Sequence, residues 1–313
     1  SGEWGGLVMH GYAPHNGCLQ ADQGIVACNI DSEGESGFAG GYSPEDSSGT
    51  LNYVVVTEGG FEFAPGNEIN GISLIGVGSG TQMEYLQVNA NADDGIEFFG
   101  GTVNVKYLVL TGNLDDSVDW DEGYQGNLQY VLVVQTPDTE GTGIEADTLG
   151  SNDFLSKPTI ANATFVGDGS DNRLWVFKEE SGGFLLNSIG TVAEGNTSLE
   201  FCVEVRGAGA QANIGSTLAF NNVNADCPTF GLNAESDALG AVGVSSFDPA
   251  LDANFAAQAP DASGVDLDIA TFKATYPESV ADEGFFDDTD YLGAVDPSAS
   301  TPWFDSWIVE GSL

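Results

Sequence analysis

Acidic side chains return at matching positions on neighbouring stretches of the chain. Residues 93–98 (DDGIEF) are followed by residues 115–120 (DDSVDW), and residues 141–146 (GTGIEA) form a weaker third copy. The second copy begins 22 residues after the first, and the third begins 26 residues after the second. Repeats of this length, built from short β-type segments, are typical of solenoids, in which each copy stacks on the one before it. The sequence therefore predicts that carboxylates are stacked on carboxylates.

A stack of like charges needs compensation. Two unit charges about 4.8 Å apart repel by roughly 1 kcal/mol in water and by about 3–4 kcal/mol at an effective dielectric near 20. One compensation is a bound hard cation, and calcium accepts about six to eight oxygen ligands in flexible geometry. A second is shared protons with raised pKa values, which would permit acid–base catalysis. The third is plain solvation of the acidic face at high salt concentration.

The alternation of side chains along a strand predicts which face carries the acids. We expect an inward aliphatic ladder of Ile72, Ile96, Val118 and Ile144. Their neighbours then point outward in one column, made of Glu97, Asp119 and Glu145. Asp121 and Asp147 extend the pattern to the next column. We call this surface the acidic ladder and predict that it binds calcium, through Asp93, Asp94, Glu97, Asp115, Asp116, Asp119, Asp121 and Glu145.

The acidic ladder differs from the familiar calcium motifs. It contains no DxDxDG with a glutamate at the twelfth position, as an EF-hand would, and it is not the glycine-rich nonapeptide repeat. A second acidic turn, residues 168–172 (DGSDN), is better explained as a polar turn than as another site.

The overall charge restricts the partners. The chain has 313 residues, with 48 acidic and 6 basic side chains and a formal net charge of −42. Such a surface repels nucleic acids, anionic lipids and anionic polysaccharides unless cations intervene, so we predict no nucleic-acid partner. Because 41% of the residues are hydrophobic, the chain is folded rather than disordered. We interpret the excess of acid as adaptation to a marine or saline exterior, where screening is strong.

Four cysteines indicate the compartment. None belongs to a CxxC pair, which disfavours a thiolate zinc site or a redox motif. The two local pairings are Cys18–Cys28 and Cys202–Cys227, and four buried free thiols are the alternative. Disulfides imply an oxidising compartment, so we predict an extracellular or outer-surface location. No apolar run reaches the roughly 18 residues of a membrane span, and the opening SGEW without Met suggests the mature part of a longer secreted precursor.

A second repeat predicts the fold. Short β-branched and aromatic runs alternate with Gly, Asn, Asp and Ser turns. One series of runs is centred on tyrosines, and residues 160–165 are a candidate fifth member after Tyr53, Tyr85, Tyr107 and Tyr130. This series interleaves with the acidic one, so each coil carries at least two strands, as in a parallel β-helix. We predict an all-β, single-stranded parallel β-helix over residues 1–235, right-handed by the general crossover rule; an antiparallel β-sandwich is the alternative.

The repeat dissolves after about residue 235. Residues 236–313 are rich in Ala and Asp, with aromatic side chains spaced along them. We predict that this region is an irregular C-terminal cap packed across the solenoid, with a short helix around residues 269–276. Solenoids need caps because an open terminal coil is an unpaired sheet edge.

No enzymatic constellation stands out. A lyase needs a base, but the odd spacing of Arg173 and Lys178 predicts opposite faces of a strand, and one of them is better explained by a salt bridge with Glu179 or Glu180. A hydrolase needs two carboxylates at a defined separation, and here there are too many candidates. The Gly-His-Gly and Arg-x-Lys patterns of polygalacturonases are absent, and His10 and His15 are predicted to be structural or surface residues. We predict no catalytic residue.

Several aromatic side chains near the acidic ladder could stack against a sugar if they were exposed. At such positions aromatic residues more often belong to the core, which is our prediction for Trp120, Tyr124, Tyr85 and Tyr107.

Two resemblances add to this reading. The predicted architecture resembles that of pectate and alginate lyases and polygalacturonases, although fold alone does not carry function. Residues 4–7, 95–102 and 115–123, together with residues 291–294 and the Trp303/Trp307 pair, resemble secreted or lipid-anchored surface proteins of marine bacteria that are mostly uncharacterised. That resemblance implies an extracellular or outer-membrane location, and a further β-rich segment before Ser1, but no activity.

The sequence thus favours a non-enzymatic binding or assembly protein of the cell surface, stabilised by calcium. Self-association, including end-to-end stacking into filaments, a surface protein partner and neutral glycans are the compatible interactions. A polysaccharide lyase or glycoside hydrolase on the same scaffold is the alternative function.

Overall fold

The fold is a β-solenoid with two long parallel sheets. The computed structural model describes residues 1–18, 27–31, 36–62, 69–148 and 154–313. The strands of the first sheet, in spatial order, are β1 (Leu7–His10), β5 (Ile72–Ile75), β7 (Ile96–Phe99), β9 (Val118–Asp121), β11 (Ile144–Ala146), β13 (Arg173–Phe177), β16 (Phe201–Val205) and β19 (Thr229–Gly231).

The second sheet takes a strand from each of the same coils. In spatial order it contains β4 (Thr50–Thr57), β6 (Gln82–Asn89), β8 (Asn104–Thr111), β10 (Asn127–Val134), β12 (Thr159–Gly167), then the strand pairs β14 (Gly183–Leu186) with β15 (Ile189–Val192) and β17 (Leu218–Asn221) with β18 (Val223–Asp226), and finally β20 (Val244–Ser245). All pairings in both sheets are parallel, which confirms the predicted parallel β-helix and excludes the sandwich. Its right-handedness stays a prediction.

Three helices and a hairpin complete the described secondary structure. The strands β2 (Ala27–Asp31) and β3 (Phe38–Gly41) form an antiparallel hairpin. The helices are α1 (Gly207–Ala212), α2 (Ala234–Leu239) and α3 (Ile269–Thr275), with one 3₁₀ turn at Pro260–Ala262. Helix α3 matches the predicted helix, and the Asp268 side chain caps it by accepting a hydrogen bond from the Thr271 N–H. Among the described residues, no helix has the length and apolar character needed to cross a membrane.

The core runs along the solenoid axis between the sheets. The register pairs Ile72 with Ile96, Ile96 with Val118, and Val118 with Ile144, and all four are fully buried. The predicted aliphatic ladder is therefore correct, and burying each of these side chains contributes roughly 1.5–3 kcal/mol. Trp175 continues the ladder in the next coil.

The strands of the second sheet bend at one residue per coil. This residue has a positive φ in each of seven successive coils: Tyr53, Tyr85, Tyr107, Tyr130, Asn162, Asn187 and Asn222. The left-handed conformation disfavours most side chains by about 1–2 kcal/mol, and asparagine tolerates it best after glycine. The four tyrosines offset the strain by stacking, with ring centroids 4.4–4.8 Å apart. Asn162 occupies the tyrosine position, so residues 160–165 are the fifth member of the series, as predicted.

The C-terminal region lies along the side of the solenoid. Apolar side chains of residues 255–308 pack on the outer face of the second sheet, against residues such as Val109, Leu132 and Phe184. Buried amides hold its backbone: Gln129 exchanges hydrogen bonds with Asp287, and Gln87 accepts from the Val309 N–H. The end of the last coil is covered instead by α2, whose Leu239 joins the core. The boundary at residue 235 stays a prediction, and the last strand of the second sheet ends at Ser245.

Both predicted disulfides are present. Cys18 bonds to Cys28, and Cys202 of β16 bonds to Cys227 in the turn between β18 and β19. The alternative of four free thiols is therefore wrong.

Candidate metal centre

Three consecutive strands of the first sheet carry the acidic ladder. The register places Glu97 of β7 beside Asp119 of β9, and Asp119 beside Glu145 of β11. Strands in a sheet lie about 4.8 Å apart, so these three side chains follow one another along the outer face. The predicted column is therefore the arrangement that the fold adopts.

A second row of acids lies in the turns that precede these strands. The carboxylate of Asp94 accepts a 2.9 Å hydrogen bond from the backbone N–H of Asp116, one coil further on. In turn, Oδ1 of Asp116 accepts hydrogen bonds from the N–H and the hydroxyl of Thr142, the latter at 2.7 Å. Thr142 occupies the position of these aspartates in the third copy of the repeat, so its hydroxyl ends the row by donating to the last acid.

The two rows bring carboxylates together in two overlapping groups. Asp94, Glu97 and Asp119 form one group, and Asp116, Asp119 and Glu145 form the other. Within each group one oxygen per residue lies within 4.8 Å of the others. Asp119 belongs to both groups and lies at their centre. A third group, Asp93, Asp94 and Asp115, is more exposed.

The central carboxylate is buried without full hydrogen bonding. Asp119 is only 8% exposed, and its Oδ1 has no hydrogen-bond partner. A buried carboxylate oxygen without a donor is costly, because the group has lost water and gained nothing in return. The surroundings supply further negative charge from Asp116, Glu145 and Asp121. A cation in contact with Oδ1 would remove both problems.

Burial changes the ionisation of the ladder. It raises the pKa of Asp94 and of Asp119 well above the usual aspartate value, and the neighbouring carboxylates raise both further. Burial also raises the pKa of Asp116 to about 7, even though the Thr142 hydrogen bonds oppose the change. Without a bound cation, the ladder therefore holds protons at neutral pH that a solvated carboxylate would have lost.

One lysine serves as a fixed counter-ion at the end of the ladder. Nζ of Lys178 lies 2.7 Å from a Glu145 oxygen and 3.7 Å from an Asp147 oxygen. Arg173 contacts Asp171 and Glu204, at 2.7 and 2.5 Å. These ion pairs differ from the salt bridge with Glu179 or Glu180 that we predicted. Lys178 pairs with carboxylates of the neighbouring coil, and Arg173 pairs with one carboxylate of its own turn and one of the next coil.

Not every predicted ligand belongs to one of these carboxylate groups. Asp121 is buried one column away, and its Oδ1 accepts a hydrogen bond from the Glu122 N–H. It belongs to none of the three groups found among the described residues. Sequence reasoning missed Asn70, which is buried and donates a side-chain hydrogen bond to Glu97. The repeat could have revealed it, because Asn70-Gly71-Ile72 aligns with Asp94-Gly95-Ile96 and places Asn70 at the Asp94 position one coil earlier.

The other sequence candidates lie away from this site or inside the core. Nε2 of His15 lies 2.5 Å from Glu122, and its Nδ1 accepts a hydrogen bond from the Gly17 N–H, so His15 is a buried structural residue. Trp120 and Tyr124 are fully buried, as predicted, and do not form a glycan platform. The core prediction is wrong for Tyr85 and Tyr107, which are only partly buried. Their column is partly covered by Trp303 and Trp307 of the C-terminal region.

Comparison with known proteins identifies the scaffold. The family model described as a pectate-lyase-like β-helix domain matches residues 1–267. No curated protein and no solved structure matches the chain significantly.

Proposed function

The chain belongs to the pectate-lyase-like β-helix domain family, and from this premise we propose that it is an extracellular or cell-surface binding and assembly scaffold stabilised by calcium on the acidic ladder. The unpartnered Oδ1 of Asp119, buried where two carboxylate groups overlap, is the observation that carries the proposal. The two disulfides support the extracellular location, since such bonds persist in oxidising compartments.

Calcium fits the donor set better than other common cations. The site offers only hard oxygen donors, which calcium prefers, and the described part of the ladder contains no imidazole or thiolate that would favour zinc or copper. Carboxylates from three coils converge on Asp119, and calcium tolerates such irregular geometry, whereas magnesium demands a near-ideal octahedron. Because the ligands come from successive coils, the cation would clamp the stack and stabilise the fold.

A non-enzymatic role is favoured because the three basic side chains near the ladder are held as cations in ion pairs. Hydrogen bonds and charges from Asp171 and Glu204 raise the pKa of Arg173, and Glu204 raises the pKa of Arg206. The pKa of Lys178 is also raised, because its contacts with Glu145 outweigh the effect of burial. A proton-abstracting base needs a pKa near the working pH, and none of these three cationic groups has been moved toward it. Asp116, with its pKa raised to about 7, meets that criterion, but we propose it as a cation ligand because it lies in a carboxylate group centred on Asp119.

One observation favours a lyase as the second candidate. Three of the six basic residues, Arg173, Lys178 and Arg206, lie on the coils next to the acidic ladder. A cation that took Glu145 as a ligand would release Lys178 toward a bound acidic sugar.

A lyase would give unsaturated products that absorb in the ultraviolet when mixed with acidic polysaccharides and calcium. The absence of such products from a broad panel of marine and plant glycans would exclude the lyase and favour the non-enzymatic scaffold.

The test of the calcium proposal is thermal unfolding at fixed high ionic strength, with EDTA or with millimolar calcium. A ligand present at about 100 times its Kd stabilises the native state by about 2.7 kcal/mol, so the melting temperature should rise by several degrees. Asp119→Asn should abolish this rise. Asp305→Asn removes the same charge at an exposed position far along the chain and should keep it. A wild-type protein that melts identically in EDTA and calcium would contradict the proposal.

A further inference from the structure

A row of uncharged polar side chains begins the strands of the second sheet. The register pairs Thr50 of β4 with Gln82 of β6, and Gln82 with Asn104 of β8. The row continues into β10, where the N–H and Nδ2 of Asn127 both donate to Oδ1 of Asn104 over 2.9 Å. In a chain with 48 acidic side chains, hydroxyl and amide groups therefore occupy this position in four successive coils, about 4.8 Å apart.

This row enters a groove beside the C-terminal region. The groove has a volume of about 310 Å³ and is lined by the starts of β4, β6 and β8, by the turn at residues 79–81 and by Phe285 of the C-terminal region. Gln82 and Glu84 in it are exposed, and Asn104 is half-buried. We call this groove the amide groove and define it by Gln82, Glu84, Asn104 and Phe285.

The two amides of the groove present free hydrogen-bond donors. Oδ1 of Asn104 is occupied by the two donors of Asn127, so Nδ2 is the amide atom left for a ligand. Oε1 of Gln82 accepts a 3.4 Å hydrogen bond from the Thr50 hydroxyl, which leaves Nε2 in the same situation. Neither nitrogen has a hydrogen-bond partner among the described residues, and each can donate twice. Because the oxygens are already engaged, both amides are oriented before a ligand arrives, which lowers the entropic cost of binding.

The amide groove also offers acceptors and an apolar surface. Glu84 lies opposite Asn52 of β4, two residues beyond the amide row, and both are exposed. Phe285 is half-buried and contacts Phe286 edge to face, with ring centroids 5.1 Å apart. Nζ of Lys106 lies 5.0 Å from the centroid of the Phe285 ring. These contacts hold the ring in place at the groove.

Charge decides which class of ligand fits. Glu84 is the one carboxylate among the described lining residues, and Lys106 is neutralised by Asp287 at 2.8 Å. An anionic ligand would meet Glu84 and a chain with a net charge of −42, with no free cation to offset either. A metal ion would find a single carboxylate beside amide donors that repel it. A neutral sugar meets neither obstacle, because each hydroxyl both donates and accepts and the C–H face of the ring can pack on Phe285.

We propose that the amide groove binds a neutral oligosaccharide on the outer face of the second sheet. Gln82 and Asn104 donate to hydroxyl groups about one strand spacing apart, and Glu84 accepts from a third. Phe285 stacks on the apolar face of a sugar ring. The inference extends the binding role proposed above, and it does not depend on calcium, because the acidic ladder lies on the first sheet.

The test is ligand-observed NMR titration in EDTA with the neutral hexasaccharides of cellulose, xylan, mannan and laminarin, and with hexagalacturonic acid as the acidic counterpart. We expect a Kd below about 1 mM for at least one neutral ligand and weaker or no binding of the acidic one. The affinity should be the same with calcium in place of EDTA. A Kd above about 1 mM for every neutral ligand, tighter binding of the acidic one, or binding that requires calcium would overturn the proposal. None of these results would alter the calcium-dependent melting temperature, which tests the acidic ladder separately.

Isosteric variants test the groove itself. Gln82→Glu and Asn104→Asp keep the shape and the accepting oxygen of each side chain but replace the donating nitrogen by an anionic acceptor. Each should weaken binding by about tenfold or more, and Phe285→Ala should weaken it by about three- to tenfold. Asn254→Asp makes the same amide-to-acid change at an exposed position outside the groove and should bind like the wild type.

Circular dichroism should show that all four variants remain folded, and Gln82→Glu is the safest of them because the side chain is exposed. An affinity that survives both Gln82→Glu and Phe285→Ala would mean that the sugar binds another surface, which would refute the proposal.

Discussion

The side chain of Asp94 accepts a hydrogen bond from the backbone of Asp116 in the next coil, over 2.9 Å. The same pattern continues when Asp116 accepts from Thr142. Asp94 and Asp116, in the turns that precede the strands, thus each accept a hydrogen bond from the following coil. These carboxylates therefore contribute to the stacking of the coils. Stability and ionisation of the ladder are therefore linked, and they can be tested together.

The first prediction concerns pH in the absence of calcium. The unfolded aspartate pKa is near 3.8, and in the fold that of Asp116 rises to about 7, with Asp94 and Asp119 shifted in the same direction. At pH values between the unfolded and the folded pKa, the native state binds more protons than the unfolded chain. The free energy of unfolding must therefore fall as pH rises from about 4.5 to 7.5. The slope for one proton is at most about 1.4 kcal/mol per pH unit. Urea unfolding in EDTA at several pH values measures it.

The control for this pH dependence is Asp116→Asn, which removes one titrating group and should flatten the slope. Glu204 has a lowered pKa, so its contribution is lost only as pH falls toward the acidic end, below this window. Saturating calcium should remove the decline, since the cation holds the carboxylates ionised. Stability that rises with pH in EDTA would contradict the assignment.

The second prediction concerns the counter-ion Lys178. Lys178→Met leaves Glu145 and Asp147 without their positive partner. We expect a lower melting temperature in EDTA and a larger rise on adding calcium, because the cation must then neutralise more charge. Lys273→Met removes the same charge from α3 and should change neither value by more than about a degree, because Lys273 is half-buried and makes none of the salt bridges found among the described residues. An equal calcium shift in wild type and Lys178→Met would mean that Glu145 is not near the cation.

The third prediction concerns the left-handed residues of the second sheet. Tyr107 has φ of 60° and stacks on Tyr85 and Tyr130. Tyr107→Asn keeps a residue that tolerates this conformation and loses the buried ring area together with the ring contacts to Tyr85, Tyr130 and Trp303, each worth about 0.5–1.5 kcal/mol beyond area burial. Tyr107→Val loses the stacking as well and adds the strain of a β-branched residue in this conformation, which lowers the stability by about 1–2 kcal/mol more. Chemical unfolding of both variants should show the difference, and equal stability would mean that the strain is relieved locally.

The fourth prediction concerns the disulfide between Cys202 and Cys227. The two residues are 25 positions apart in sequence, and closing a loop of that length in the unfolded chain is worth about 3.5 kcal/mol in the chain-entropy estimate. Replacing both cysteines by alanine should lower the melting temperature by several degrees. Replacing Cys18 and Cys28, which are 10 positions apart, should have a smaller effect. The reverse order would show that packing around Cys202, and not loop closure, decides the loss.

The features that repeat along the chain could be predicted from the amino-acid pattern alone. The repeat period and the alternation along the strands predicted the parallel coil and its inward ladder of Ile96, Val118 and Ile144. They also predicted the outward column of Glu97, Asp119 and Glu145. These predictions succeed because a solenoid converts a sequence offset directly into a contact between neighbouring coils. Cysteine spacing predicted the disulfides for a similar reason, since each closes a local loop.

Contacts that no repeat encodes become visible only in the folded chain. The burial of Asp119 and the orphaned Oδ1 depend on the depth of the turns beside it. The pairing of Lys178 with Glu145 depends on the register between β13 and β11, which places Phe177 beside Ala146. The covering of the tyrosine column by Trp303 and Trp307 depends on the path of an irregular segment. Such contacts arise from chain geometry in three dimensions, and local side-chain pattern carries no record of them.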